Sequence, residues 1–150
     1  YGSEKSALQL AVQAEYWSGA AWVVHGDDSC TTVPAAAVAL SNVRNHQGGP
    51  AGWSTTPSAV SIVAGNGWLT LSAPAPAATG SVDVALNLGA TAADQSCLPD
   101  HPATTGAALP WLRSRHGSCA ATWDRDPWAR ASFGIYSPES RKTIHVRDLY

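Results

Sequence analysis

Residues 22–32 read "WVVHGDDSCTT", and within them His25, Asp27, Asp28, Ser29 and Cys30 crowd into six consecutive positions. Imidazole, carboxylate and thiol are the donors that grip a transition metal, but ligands must converge on one point. Neighbours on an extended chain diverge instead, and no second His/Cys set with ligand spacing occurs elsewhere. A hydroxyl or thiol nucleophile at Ser29 or Cys30 would need a base brought within hydrogen-bond reach, from His25, His116 or His145. The simpler reading is a polar turn. Trp22, Val23 and Val24 form a short apolar strand, Gly26 is able to take positive φ, and Asp27 and Asp28 bond backbone amides. Asp27, Asp28 and Cys30 are therefore expected to be a structural turn.

A second acidic stretch, "WDRDPWAR" at residues 123–130, sets Asp124 and Asp126 two apart. Calcium loops begin with that spacing, but the glycine and the distant bidentate glutamate of an EF-hand are missing. The simpler reading is a turn in which Asp126 precedes Pro127 and Arg130 supplies an ion-pair partner. No phosphate-cradling glycine loop, zincin helix, nucleophile elbow or CxxC occurs. A non-catalytic domain without cofactor or metal is expected.

The seven tryptophans, beside one Phe and no Met, are the other chemical resource. Flat indole faces stack on sugar rings, yet aromatics also fill small cores. Trp17 and Trp68 fall on the polar register of their strands, which makes them the candidate glycan contacts.

The elements that position these residues are strands. In "ALQLAVQAEYW", Leu8, Leu10, Val12, Ala14 and Tyr16 share one face and Gln9, Gln13 and Glu15 the other. In "GSVDVALNLG", Val82, Val84, Leu86 and Leu88 alternate with Ser81, Asp83 and Asn87. Period two with one wet face is the signature of a strand on a half-buried sheet. Weaker runs are "WVVH", "AAVALSN", "AVSIV", "WLTLSAP", "ARASFGIYS" and "TIHVRDLY". Turn clusters separate them, and Asn66-Gly67 between apolar runs signals a hairpin. The 150 residues are expected to form one all-β domain, an immunoglobulin-like sandwich of about eight strands.

Only 13% of residues are charged and the net charge is −2, so there is no electrostatic footprint for nucleic acid. No apolar run is long enough to span a bilayer. The first residue is Tyr1, with neither an initiator Met nor a signal-peptide pattern, which reads as a processed product or a piece of a longer protein. Residues 89–126 have almost no alternation, and a loop so long needs a tie. A bond between Cys97 and Cys119 would close about 22 residues and contribute about 3 kcal/mol. Cys30–Cys97 and Cys30–Cys119 are the competing pairings.

Taken in order, "YGSE", "QAEYWSGAAWVVHGDDSCT", "LTLSAP", "GSVDVALNLG", "LPWLR" and "DPWARASFGIYSPESRKTIHVRDLY" resemble the C-terminal domain of MshQ-like proteins. That family is linked by name to biogenesis of the mannose-sensitive haemagglutinin pilus, a type IV pilus of Gram-negative bacteria. The resemblance covers nearly the whole chain. It implies an exported domain at the bacterial surface, and it supports Asp27, Asp28 and Cys30 as a family turn. Relatives carry a more acidic, glycine-containing run where this chain has "WDRDPWAR", which weakens a calcium role. Residues 97–119 look like an insertion relative to shorter members, so a self-contained Cys97–Cys119 disulfide is implied. Cys30 would then be unpaired, and either buried and inert or cross-linked to another chain.

The function expected is a structural or assembly domain of a pilus-associated or filament-forming surface protein. Its partners would be copies of itself or other surface proteins, with no nucleic acid and no membrane insertion. Leu8, Leu10 and Val12 at one end, and Ile144 and Val146 at the other, lie on terminal strands able to pair in their own sheet or in a neighbour's. The alternative is a carbohydrate-binding adhesin module using Trp17 and Trp68.

Overall fold

The computed structural model describes residues 1–90, 102–113, 126–134 and 143–148, the last segment by its backbone. Nine strands and two single-turn 3-10 helices make up these residues, with no α-helix among them. In chain order the strands are β1 (Leu8–Trp17), β2 (Trp22–Val24), β3 (Thr32–Val33), β4 (Val38–Asn45) and β5 (Val60–Ser61). They continue as β6 (Asn66–Leu71), β7 (Gly80–Leu86), β8 (Trp128–Phe133) and β9 (Thr143–Asp148). The short β3 is the strand that has no expectation in the sequence, and the two 3-10 helices have none either. Among the described residues no helix is long and apolar enough to cross a membrane.

Two main sheets carry the fold. One is antiparallel in the order β4-β7-β8. The other is organised around β1, whose residues Leu8–Gln13 pair with β6 and Glu15–Trp17 with β2, both antiparallel. β9 pairs in parallel with Ala11–Tyr16 of the same strand. A strand has only two edges, and β9 overlaps the stretches of β1 that meet β6 and β2. Hence β6 and β2 lie end to end along one edge and β9 occupies the other. Ala14 spans the junction, donating to the Gly65 carbonyl and accepting from the His25 N–H.

The alternating residues build the core. Leu8, Leu10, Val12 and Ala14 of β1 join Leu69 and Leu71 of β6, Val82, Val84 and Leu86 of β7, and Phe133 of β8 in one buried cluster. The two main sheets therefore share one apolar layer, as in a sandwich. Each such aliphatic side chain contributes about 1.5–3 kcal/mol on burial. A one-residue slip of β1 would send its leucines to solvent, so the register is strongly held. Gly80 is required where β7 meets β4, because a Cβ there would strike the Arg44 carbonyl and approach the Trp53 indole nitrogen.

The hairpin between β5 and β6 turns earlier than Asn66-Gly67. Its central residues are Ala64 and Gly65, with φ of 48° and 75°. Val63 and Asn66 close it by exchanging backbone hydrogen bonds of 2.8 and 3.0 Å. Positive φ at both centres is the primed geometry that suits twisted strands. Asn66 instead begins β6 and donates its side-chain amide to the Ala64 carbonyl. Gly67 is needed for close packing, since a Cβ would lie 2.7 Å from the Ser61 carbonyl. The Asn-Gly pair marks the turn's neighbourhood but misplaces its centre by two residues.

The irregular segment is tied by charge. Arg113 and Asp126 are 0% and 1% exposed, and Arg113 Nε donates to Asp126 Oδ1 at 2.8 Å. The same carboxylate oxygen accepts the Leu88 N–H, while Arg113 also donates to Asn87 Oδ1. Asn87 in turn donates to the carbonyl and hydroxyl oxygens of Thr104. Residues 107–109 then bond the backbone of 87–89. The partner of Asp126 is thus Arg113 rather than Arg130. Arg130 lies opposite Asp83 in the β7–β8 register and clasps it at 2.6 and 3.0 Å. Cys97 and Cys119 lie outside the described residues, and so does their pairing.

Candidate functional site

The polar turn that follows β2 is built on Asp28. Its N–H bonds the His25 carbonyl at 2.9 Å, and its Oδ1 accepts the N–H groups of Cys30 and Thr31 at 3.2 and 3.0 Å. This Asx arrangement satisfies donors that no strand can reach. The turn also grips the β5–β6 hairpin: Gly65 N–H donates to the Asp28 carbonyl and Ala64 N–H to Ser29 Oγ. Positive φ is found on that facing hairpin and not at Gly26.

Cys30 is exposed, which removes the buried form expected for an unpaired thiol. Its sulfur lies 3.8 Å from Asp28 Oδ1. Among the described residues, neither Ser29 nor Cys30 is hydrogen-bonded to a histidine. His25 packs edge-on against Tyr16, with ring centroids 5.4 Å apart. Asp27 is exposed at the tip of the turn. Among the described residues no three His, Cys, Asp or Glu side chains gather as metal ligands would.

Partial burial alone would raise the Asp28 carboxyl. The hydrogen bonds from Thr31, side chain and backbone, and from the Cys30 N–H, with His25 nearby, outweigh it and hold the group below its ordinary value. A depressed carboxylate stabilises the fold above its unfolded value, near pH ~3.9, and that stabilisation is lost as pH falls through the lower folded value. Asp28→Ala should therefore cost about 1 kcal/mol at neutral pH, from its backbone hydrogen bonds. The deficit should shrink on acidification below the unfolded carboxylate value. Urea unfolding across pH measures it, and a deficit that persists unchanged at pH 2 would contradict the assignment.

Trp17 and Trp68 are 43% and 57% exposed. Both belong to the outer face of the β1 sheet: Trp68 stands opposite Ala11 in β6, and Trp17 opposite Trp22 in β2. Trp17 meets Trp22 edge to face, with centroids 5.6 Å apart. Between the two aromatic ends Gln13 lies opposite Asn66, and its Nε2 donates to Asn66 Oδ1 at 3.0 Å. The outward positions of β1 were legible from alternation, but the amide pair was not. Gln13 and Asn66 are far apart in sequence and become neighbours only through the β1–β6 register. Trp111 and Trp128 are also exposed, and Trp128 belongs to the other main sheet.

The terminal strands meet one another. Val12 is the register partner of Ile144, and Ala14 that of Val146. Among the described residues β9 pairs with β1 alone. Leu8, Leu10 and Val12 point into the core and are not displayed for a partner.

One family model, described as DUF6701, fourth domain, matches residues 1–149. No curated protein and no solved structure matches the chain.

Proposed function

We propose, from the premise that this chain belongs to the DUF6701 fourth-domain family, that it is a non-catalytic structural domain of a bacterial surface protein that associates by exchange of β9. The observation that carries this reading is the pairing of β9, a sequence-distant strand held in parallel by β1 alone among the described residues. Such a strand can leave β1 and dock on the same edge of another copy. The hydrogen bonds broken within one chain are remade between two, so the exchange is close to balanced. Because both terminal strands are paired within the chain, association proceeds by replacement and not by filling an open groove. The resemblance to MshQ-like proteins supports an exported, pilus-associated location. The shared core of two sheets supports an immunoglobulin-like sandwich, an architecture common in cell-surface domains.

The test is oligomeric state by light scattering over a wide concentration range. A chain locked by Gln13→Cys and His145→Cys, in a Cys30→Ser background, should stay monomeric where the unlocked Cys30→Ser chain associates. A chain that remains monomeric at every concentration, or a lock that changes nothing, overturns the exchange.

A second reading is a carbohydrate-binding adhesin module. It is favoured by the exposure of Trp17 and Trp68 on one sheet face. Binding on a glycan array that is lost with Trp68→Ala is the expected result; an array without binding removes this reading.

A further inference from the structure

We infer that the outer face of the β1 sheet binds a linear oligosaccharide laid along β1, stacked at its two ends on Trp17 and Trp68. This deepens the carbohydrate reading and rests on it.

The register sets the length. Trp68 sits beside Ala11, and Trp17 lies six residues further along β1. At 3.3 Å per residue the two indoles are roughly 20 Å apart along the strand, more than a disaccharide spans. A ligand touching both must be an extended oligomer.

The chemistry between the two ends selects its polarity. Gln13 Nε2 and Asn66 Oδ1 bond each other, and Asn66 Nδ2 is held by the Ala64 carbonyl. These bonds fix both amides in place, which lowers the entropy cost of using their remaining donors and acceptors on sugar hydroxyls. The described exposed or half-exposed side chains of this face include Gln9, Gln13, Asn66 and Thr70, and the β1–β9 register sets the positions of Thr143, His145 and Arg147 on the same face. Glu15, the one described carboxylate on this register, is buried. A ligand with apolar ring faces and hydroxyl edges complements such a surface. A protein partner would seek a contiguous apolar patch with its anchors clustered at the centre. Here the indoles stand at the ends and amides occupy the middle.

The full chain should be titrated calorimetrically with cello-, xylo-, manno- and chito-oligosaccharides of two and six units. For the sugar that binds, the hexamer is expected to bind at least about tenfold tighter than the dimer. Trp17→Ala and Trp68→Ala should each weaken the hexamer about tenfold, whereas Trp128→Ala, on the other sheet, should change nothing. Gln13→Ala reads the same span from its middle, with a loss of about fivefold, should Trp17→Ala disturb Trp22. Equal affinity for dimer and hexamer, or dependence on only one of the two tryptophans, overturns the spanning ligand and leaves the carbohydrate reading standing. If none of the four series binds, both fall.

Discussion

Asp126→Ala should cost about 3–5 kcal/mol of folding stability, the range for removing one partner of a buried ion pair. The reason lies in what the carboxylate serves. It takes a hydrogen bond from Arg113 Nε and another from the Leu88 N–H, and both Asp126 and Arg113 are almost wholly buried. Without it the guanidinium keeps its bond to Asn87 but loses the ion pair with Asp126 in a place water does not reach. Taking a charge out of water is tolerable only when that charge is matched. Asp126→Asn preserves shape and one acceptor and should cost less than Asp126→Ala. An Arg113→Met, Asp126→Leu pair should recover much of the loss, because it removes both charges together. Urea unfolding followed by tryptophan fluorescence measures all three, and a loss below 1 kcal/mol for Asp126→Ala would mean that the pair does not hold residues 102–113 to the sheet.

Phe133→Ala is the second large effect, at about 3–5 kcal/mol. The ring is fully buried at the end of β8 and meets Trp53 edge to face, with centroids 5.7 Å apart. Removing it leaves a cavity at the point where the chain start is also fastened. Gly2 donates to the Ser132 carbonyl and accepts from the Gly134 N–H, bracketing Phe133. Phe133→Leu keeps most of the volume and should cost about 1.5 kcal/mol. The emission of buried Trp53 should shift to the red in the alanine variant only. Equal stability of the alanine and leucine variants would place the ring's contribution outside core packing.

Neither effect is equally visible in the sequence. Phe133 sits in "ARASFGIY", where alternation already assigns the aromatic to a strand. Asp126 and Arg113 come from a stretch without periodicity, and Arg130, the partner that the sequence offers Asp126, is committed to Asp83 by the β7–β8 register. A buried ion pair leaves no mark on local pattern, because its members need only meet in space. The same holds for Gln13 with Asn66, and for β9 with β1. The β5–β6 hairpin is an intermediate case. Its neighbourhood follows from glycine content, while its centre at Ala64-Gly65 depends on where Gly67 must pack against Ser61.

The residue order alone determined which register of β1, β6 and β7 carries the core aliphatics, and so that Trp17 and Trp68 face away from the core; it did not show that Glu15, Asp83 and Asn87, read as lying on wet faces, are buried too. That information is local, because side chains on an extended backbone alternate whatever lies beyond them. The three-dimensional structure decided the partners: β9 beside β1, Arg113 with Asp126, the Asp28 turn locked onto Ala64 and Gly65. Such pairings are settled by competition across the whole chain to fill one core and leave no buried polar group unmet, and no short window of sequence contains that competition.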